Sequence, residues 1–83
     1  MQTETIVPLD VMSAGTLGHV EEVAGAPDWV GRMAELGIRS GTRIYIVRQG
    51  SPCLVDVGGS RLSVRFDAAS FILVRPASGW SEY

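Results

Sequence analysis

Eighty-three residues, 46% apolar and 19% charged, are enough for one globular domain with a small core and exclude global disorder. The net charge of -2 and a pI near 5.2 argue against a nucleic-acid partner, whose binding ordinarily leaves a basic footprint. One cysteine excludes an internal disulfide framework and a Cys-rich zinc site, and no apolar run approaches the ~20 residues of a membrane helix.

All seven cations are arginines, spread from Arg32 to Arg75 without clustering in sequence, which reads as a solvated surface suited to bidentate contacts. The first ten residues lack a basic stretch followed by an apolar one, so they do not form a signal peptide and a cytoplasmic location is expected.

In chain order, residues 1–8 read as a loose lead-in, residues 8–12 as one helical turn and residues 13–15 as a turn. A strand follows over 16–23, in which Gly18 marks a bulge or a close backbone approach. After a loop over 24–27 comes a short helix with Asp28 as its N-cap and Trp29, Met33 and Leu36 on one apolar stripe. Gly37 is placed for the left-handed C′ position, which makes Ile38 and Met33 the apolar pair of a Schellman ending. Gly31 inside the helix costs about 1 kcal/mol against alanine, so the helix has to be packed on something. Gly41 turns the chain into a strand over 42–48, with Ile44 and Ile46 on one face and Arg43, Tyr45 and Val47 on the other.

Gly58-Gly59 provides the two residues a type I′ hairpin loop requires. Its register sets Val57 against Ser60, Asp56 against Arg61, Val55 against Leu62 and Cys53 against Val64. Cys53, Val55, Val57, Leu62 and Val64 then share the apolar face, and Asp56 and Arg61 form a cross-strand ion pair on the other. Residues 67–70 make a turn, 71–75 the last strand, and Pro76 ends pairing. The tail 77–83 is expected to be frayed, with Trp80 and Tyr83 available to dock. The fold class is mainly β: a small SH3-like, partly open barrel of about five antiparallel strands with the helix inserted after the first, an OB-like barrel being the nearest alternative.

The series Leu9, Gly15, Gly18, Val20, Val23, Arg32-Met33, Leu36-Gly37-Ile38, Gly41, Ile44, Pro52, Val55, Val57, Leu62, Arg65, Ala68-Ala69, Ile72 and Val74 resembles the FeoA family over about residues 9–75. The chain departs from the family pattern at Met33, in the short 49–52 connection and in its aromatic tail. The resemblance implies a domain over 9–76 that is a small cytoplasmic SH3-like module. Such modules act with FeoB, the ferrous-iron permease that carries a G-protein domain, and a similar module ends the iron-dependent repressors of the DtxR type. It implies no catalytic motif, and the stand-alone form is the better match. The implied partner is the cytoplasmic part of a FeoB-like permease, which would hold the chain at the inner face of the membrane without insertion.

With one histidine and no nucleophile–base pairing, an enzyme is not expected. The candidate partner-contact residues are Leu36, Gly37, Arg39, Arg43, Tyr45 and Leu54. Val47, Phe71 and Leu73 share the outward set, and the helix stripe is expected to cover part of it. Leu36→Asp and Ile38→Asp are expected to unfold the domain, and Arg39→Glu to spare the fold and weaken partner binding. No cofactor is expected. The alternative is a metal-responsive sensor binding a divalent ion weakly at His19 and Glu21, which share a strand face. An RNA-binding barrel is disfavoured by the acidic charge.

Overall fold

The computed structural model describes residues 5–77. It contains six antiparallel strands: β1 (Val7–Pro8), β2 (Leu17–Ala24), β3 (Arg43–Arg48), β4 (Cys53–Val57), β5 (Ser60–Val64) and β6 (Phe71–Pro76). A short 3-10 turn, Leu9–Val11, follows β1, and one helix, α1 (Pro27–Glu35), lies between β2 and β3. The strands are ordered β1-β6-β2-β3-β4-β5, so the sheet is open, with the chain's first strand hydrogen-bonded to its last.

The period-2 pattern accounts for most of the core. Ile44 and Ile46 of β3, Cys53 and Val55 of β4, and Ile72 and Val74 of β6 are fully buried on the inner side of the sheet. Val20 and Val23 of β2 also face inward although they are three positions apart. A bulge reconciles them. Val20 lies opposite Val74, while Glu22 and Val23 lie opposite Leu73 and Ile72, which leaves Glu21 as the extra residue. Gly18 is the close approach rather than the bulge: a Cβ there would stand 2.6 Å from Val74 Cγ1 and 2.9 Å from the Arg75 carbonyl oxygen.

The β4–β5 hairpin has the expected register, and Gly58 and Gly59 take φ of 59° and 89° as a type I′ loop demands. The Asp56–Arg61 ion pair does not form. Asp56 Oδ1 instead accepts from the Gly59 N–H at 3.1 Å, a donor the turn already holds in place, whereas an exposed arginine would have to give up rotamer freedom to pair.

The helix begins two residues earlier than expected. Ala26 is the N-cap and Pro27 the first helical residue, where a missing N–H costs nothing and the fixed φ fits. Asp28 lies inside the first turn, its carboxylate accepting from the Trp29 N–H at 2.9 Å. The ending is as expected. Gly37 has φ +96°, the Ile38 N–H donates to the Met33 carbonyl at 2.8 Å and the Gly37 N–H to Ala34 at 3.0 Å, the paired bonds of a Schellman motif.

Two further expectations are corrected. The lead-in stops short of residue 8, because Val7 and Pro8 pair with Val74 and Leu73; two residues are too few to show an alternation in sequence. Pairing also continues past Pro76, which lies opposite Gly18, and the Ala77 N–H donates to the Leu17 carbonyl at 2.8 Å. A single proline removes one donor and the ladder resumes after it. Residues 1–4 and 78–83, including Trp80 and Tyr83, lie outside the described residues.

The helix covers the inner side of the sheet and not its outer face. Met33 is buried in the same cluster as Ile44, and Trp29 packs on Phe66 with ring centroids 6.2 Å apart. Leu36, at the helix end, is 43% exposed, as is Tyr45. A curled sheet has one concave side to close, and a single short helix closes only that one.

Candidate partner-binding surfaces

The turn joining α1 to β3 is braced by three polar side chains. The Thr42 hydroxyl accepts from the Arg39 N–H at 3.2 Å and donates to the Gly37 carbonyl at 2.9 Å. The Arg39 guanidinium donates to the Ala34 carbonyl through Nε at 3.4 Å and Nη2 at 3.2 Å. A cation there satisfies a terminal carbonyl and meets the negative end of the helix dipole. Ser40 Oγ donates to the Glu21 carbonyl at 2.9 Å, so the residue that the bulge takes out of register gains a partner from this turn.

This bracing leaves a cleft of about 360 Å³ between α1 and the bulged part of β2. Val23, Val30, Ala34 and Ile38 supply its apolar lining, and Glu21, Glu22, Arg39 and Ser40 its polar one. Sequence reasoning did not single out Val23, Val30, Ala34 or Ser40 as site residues. The signal was the three-residue spacing of Val20 and Val23, which a regular strand cannot place on one face.

The six candidate contact residues fall into two places. Leu36, Gly37 and Arg39 belong to the helix-ending turn, and a Cβ at Gly37 would sit 3.6 Å from Val57 Cγ1. Arg43, Tyr45 and Leu54 lie on the outer face of β3 and β4, where Tyr45 stands in register between Leu17 and Asp56. Arg43 and Tyr45 are exposed and Leu54 is half-buried.

His19 and Glu21 both lie on β2, on either side of Val20. Glu21 is the bulged residue and its carboxylate is engaged by the Arg75 guanidinium. His19 is exposed and in register with Arg43 on one neighbouring strand and Arg75 on the other, surroundings that do not suit a divalent cation. Among the described residues no group of three or more His, Cys, Asp or Glu comes together.

Two groups titrate away from their ordinary values. Burial, with the Asp10 carboxylate as the lesser cause, pushes the Cys53 thiol up, so it is protonated at neutral pH and packs as a small apolar side chain. The Ser70 hydroxyl, donating at 2.6 Å, and the Ala69 N–H, at 3.0 Å, hold Asp67 below the usual carboxylate range.

The sequence pattern of the FeoA domain matches residues 7–76, almost all of the described chain. The chain belongs to the FeoA family. A solved FeoA, reported as an iron uptake regulatory protein, superposes with a TM-score of 0.78 at 25% identity, covering 88% of this chain and 100% of its own. The FeoA of Stenotrophomonas maltophilia complexed with zinc is described as a procaryotic SH3 domain protein and a suggested activating factor of bacterial ferrous iron transport. It superposes with a TM-score of 0.68 at 31% identity, covering 82% of this chain and 88% of its own. No curated protein matches the chain. The six-stranded open sheet with one short helix is thus the SH3-like fold of the FeoA proteins. No helix among the described residues is long and apolar enough to cross a membrane.

Proposed function

We propose that this FeoA-family chain is an accessory protein of ferrous iron uptake. It acts from the cytoplasm by protein–protein contact on the cytoplasmic part of a FeoB-type permease, adjusting transport or nucleotide hydrolysis without catalysing a reaction of its own. Family membership over 7–76 supports the place in ferrous iron transport. The observation that carries contact as the mode of action is the cleft beside α1: an apolar lining between side chains of both charges, held open by the Ser40–Glu21 and Arg39–Ala34 hydrogen bonds. A cleft of this make-up takes an apolar side chain of a partner and fixes its orientation at the rim.

The test is co-purification of the tagged chain with the permease from detergent-solubilised membranes, read by mass spectrometry, for the parent chain and for Ala34→Glu. Glutamate is a good helix former at a half-buried position, so the variant keeps the fold and fills the cleft. The parent chain retains the permease and Ala34→Glu loses it. Retention by a folded Ala34→Glu chain removes the cleft as the contact, and no retention by either chain, both proteins being present, removes the permease as the partner.

A further inference from the structure

Folding gathers four of the seven arginines onto one surface, which the sequence order does not show. Arg43 and Arg48 begin and end β3, Arg61 lies on β5 and Arg65 follows it, and all four are exposed. Arg43, Arg61 and Arg65 alternate with the buried Ile44 and Val64, and a bulge at Val47 sets Arg48 opposite Leu54, so all four project from the outer face of the β3–β4–β5 ladder. The register places Tyr45, Asp56 and Arg61 in one cross-strand row and Arg48, Leu54 and Ser63 in another. With strands ~4.8 Å apart and ~3.3 Å per residue, the arginines frame Tyr45 and Leu54 in a patch on the order of 10 by 16 Å.

None of the four guanidinium groups has an ion-pair or hydrogen-bond partner among the described residues. Asp56 is the one acid on these three strands, and its carboxylate is turned to the Gly59 N–H. The other described acids lie elsewhere: Asp28 and Glu35 on α1, Asp10 in the 3-10 turn, Asp67 before β6, and Glu21 and Glu22 on the part of β2 beyond its pairing with β3. A chain of net charge -2 therefore presents one cationic face, and charges on its far side are screened over a Debye length of about 8 Å.

We propose that this face docks on the anionic phospholipid surface of a bilayer, with Arg43, Arg48, Arg61 and Arg65 on lipid phosphates and Tyr45 at headgroup level. Charge complementarity selects an anionic ligand, and guanidinium forks match phosphate oxygens in pairs. A broad sheet face suits a surface of many equivalent phosphates. Tyrosine is at home at the membrane interface, and Leu54 beside it adds apolar contact there. A single-stranded nucleic acid would need a succession of aromatic platforms, and among the described residues this face has one aromatic ring. The inference is independent of the cleft and of any permease.

The test is flotation of the full chain with vesicles of phosphatidylcholine alone and of phosphatidylcholine containing one-third phosphatidylglycerol, at low and physiological salt. The chain floats with the anionic vesicles and not with the neutral ones, and less so as salt rises. Arg48→Gln and Arg61→Gln each lower the partition coefficient about fivefold and together roughly 25-fold. Arg32→Gln, an exposed change on the helix, leaves it unaltered. Thermal melting confirms that the variants stay folded. Equal retention on both vesicles, no retention on either, or binding to a single-stranded oligonucleotide in place of vesicles overturns the proposal. So does retention on anionic vesicles that the double variant leaves intact.

Discussion

The backbone of Gly18 passes so close to Val74 that a Cβ at position 18 would lie 2.6 Å from Val74 Cγ1 and 2.9 Å from the neighbouring Arg75 carbonyl oxygen. This contact holds β2 against β6 at the point where β2 still pairs with β3 on its other side. Gly18→Ala is expected to destabilise the domain by about 1–3 kcal/mol, the usual cost of overpacking. Adding Val74→Ala should not restore stability, since the carbonyl remains in place. Urea denaturation measures both, and full recovery in the double variant would mean that the side chain alone set the limit.

Gly37 and Gly31 are predicted to respond to alanine with opposite signs. Gly37 has φ +96° with only an ordinary van der Waals contact to Val57, so Gly37→Ala costs about 1–2 kcal/mol through backbone conformation alone. Gly31 lies within α1 with open space around it, so Gly31→Ala gains up to about 1 kcal/mol. Paired thermal melts check the prediction, and a loss at position 31 would contradict it.

Leu36 and Ile38 look alike in sequence but part company in the fold. Ile38 is 1% exposed, so Ile38→Ala should cost about 2–5 kcal/mol. Leu36 is 43% exposed, and Leu36→Asp should cost only about 1–2 kcal/mol, from the loss of its partial burial and from placing an anion at the helix C-terminus. The expectation from sequence that Leu36→Asp unfolds the chain is therefore reversed. An unfolded Leu36→Asp variant would restore it.

Asp67 is held below the usual carboxylate range chiefly by the Ser70 hydroxyl. The folded state thus prefers the ionised form. The resulting stability is present above the ordinary carboxylate value of about 3.8 and is lost as the pH falls through the lower folded value. Ser70→Ala removes the largest cause, so the Asp67 titration followed by NMR should move up. An unchanged titration would assign the effect to the Ala69 and Ser70 amides.

What the sequence by itself determined is local. Gly58-Gly59 dictated the hairpin register down to Cys53 opposite Val64, and Gly37 with Ile38 and Met33 dictated how the helix ends, because the residues that make those bonds are only a few positions apart. The alternation of Ile44 and Ile46 was enough to place β3. Only the tertiary structure decided the rest. The insertion of β6 between β1 and β2, the contact of Gly18 with Val74, and the bulge at Glu21 with its carbonyl taken by Ser40 all join residues distant in sequence. The same holds for the surfaces. Nothing in the spacing of Leu36 says that the helix will close the concave side and leave it partly exposed, and nothing in the order of the arginines says that four will meet around Tyr45. A strand pattern reveals that two faces exist, and only the assembled sheet determines which face the helix leaves open.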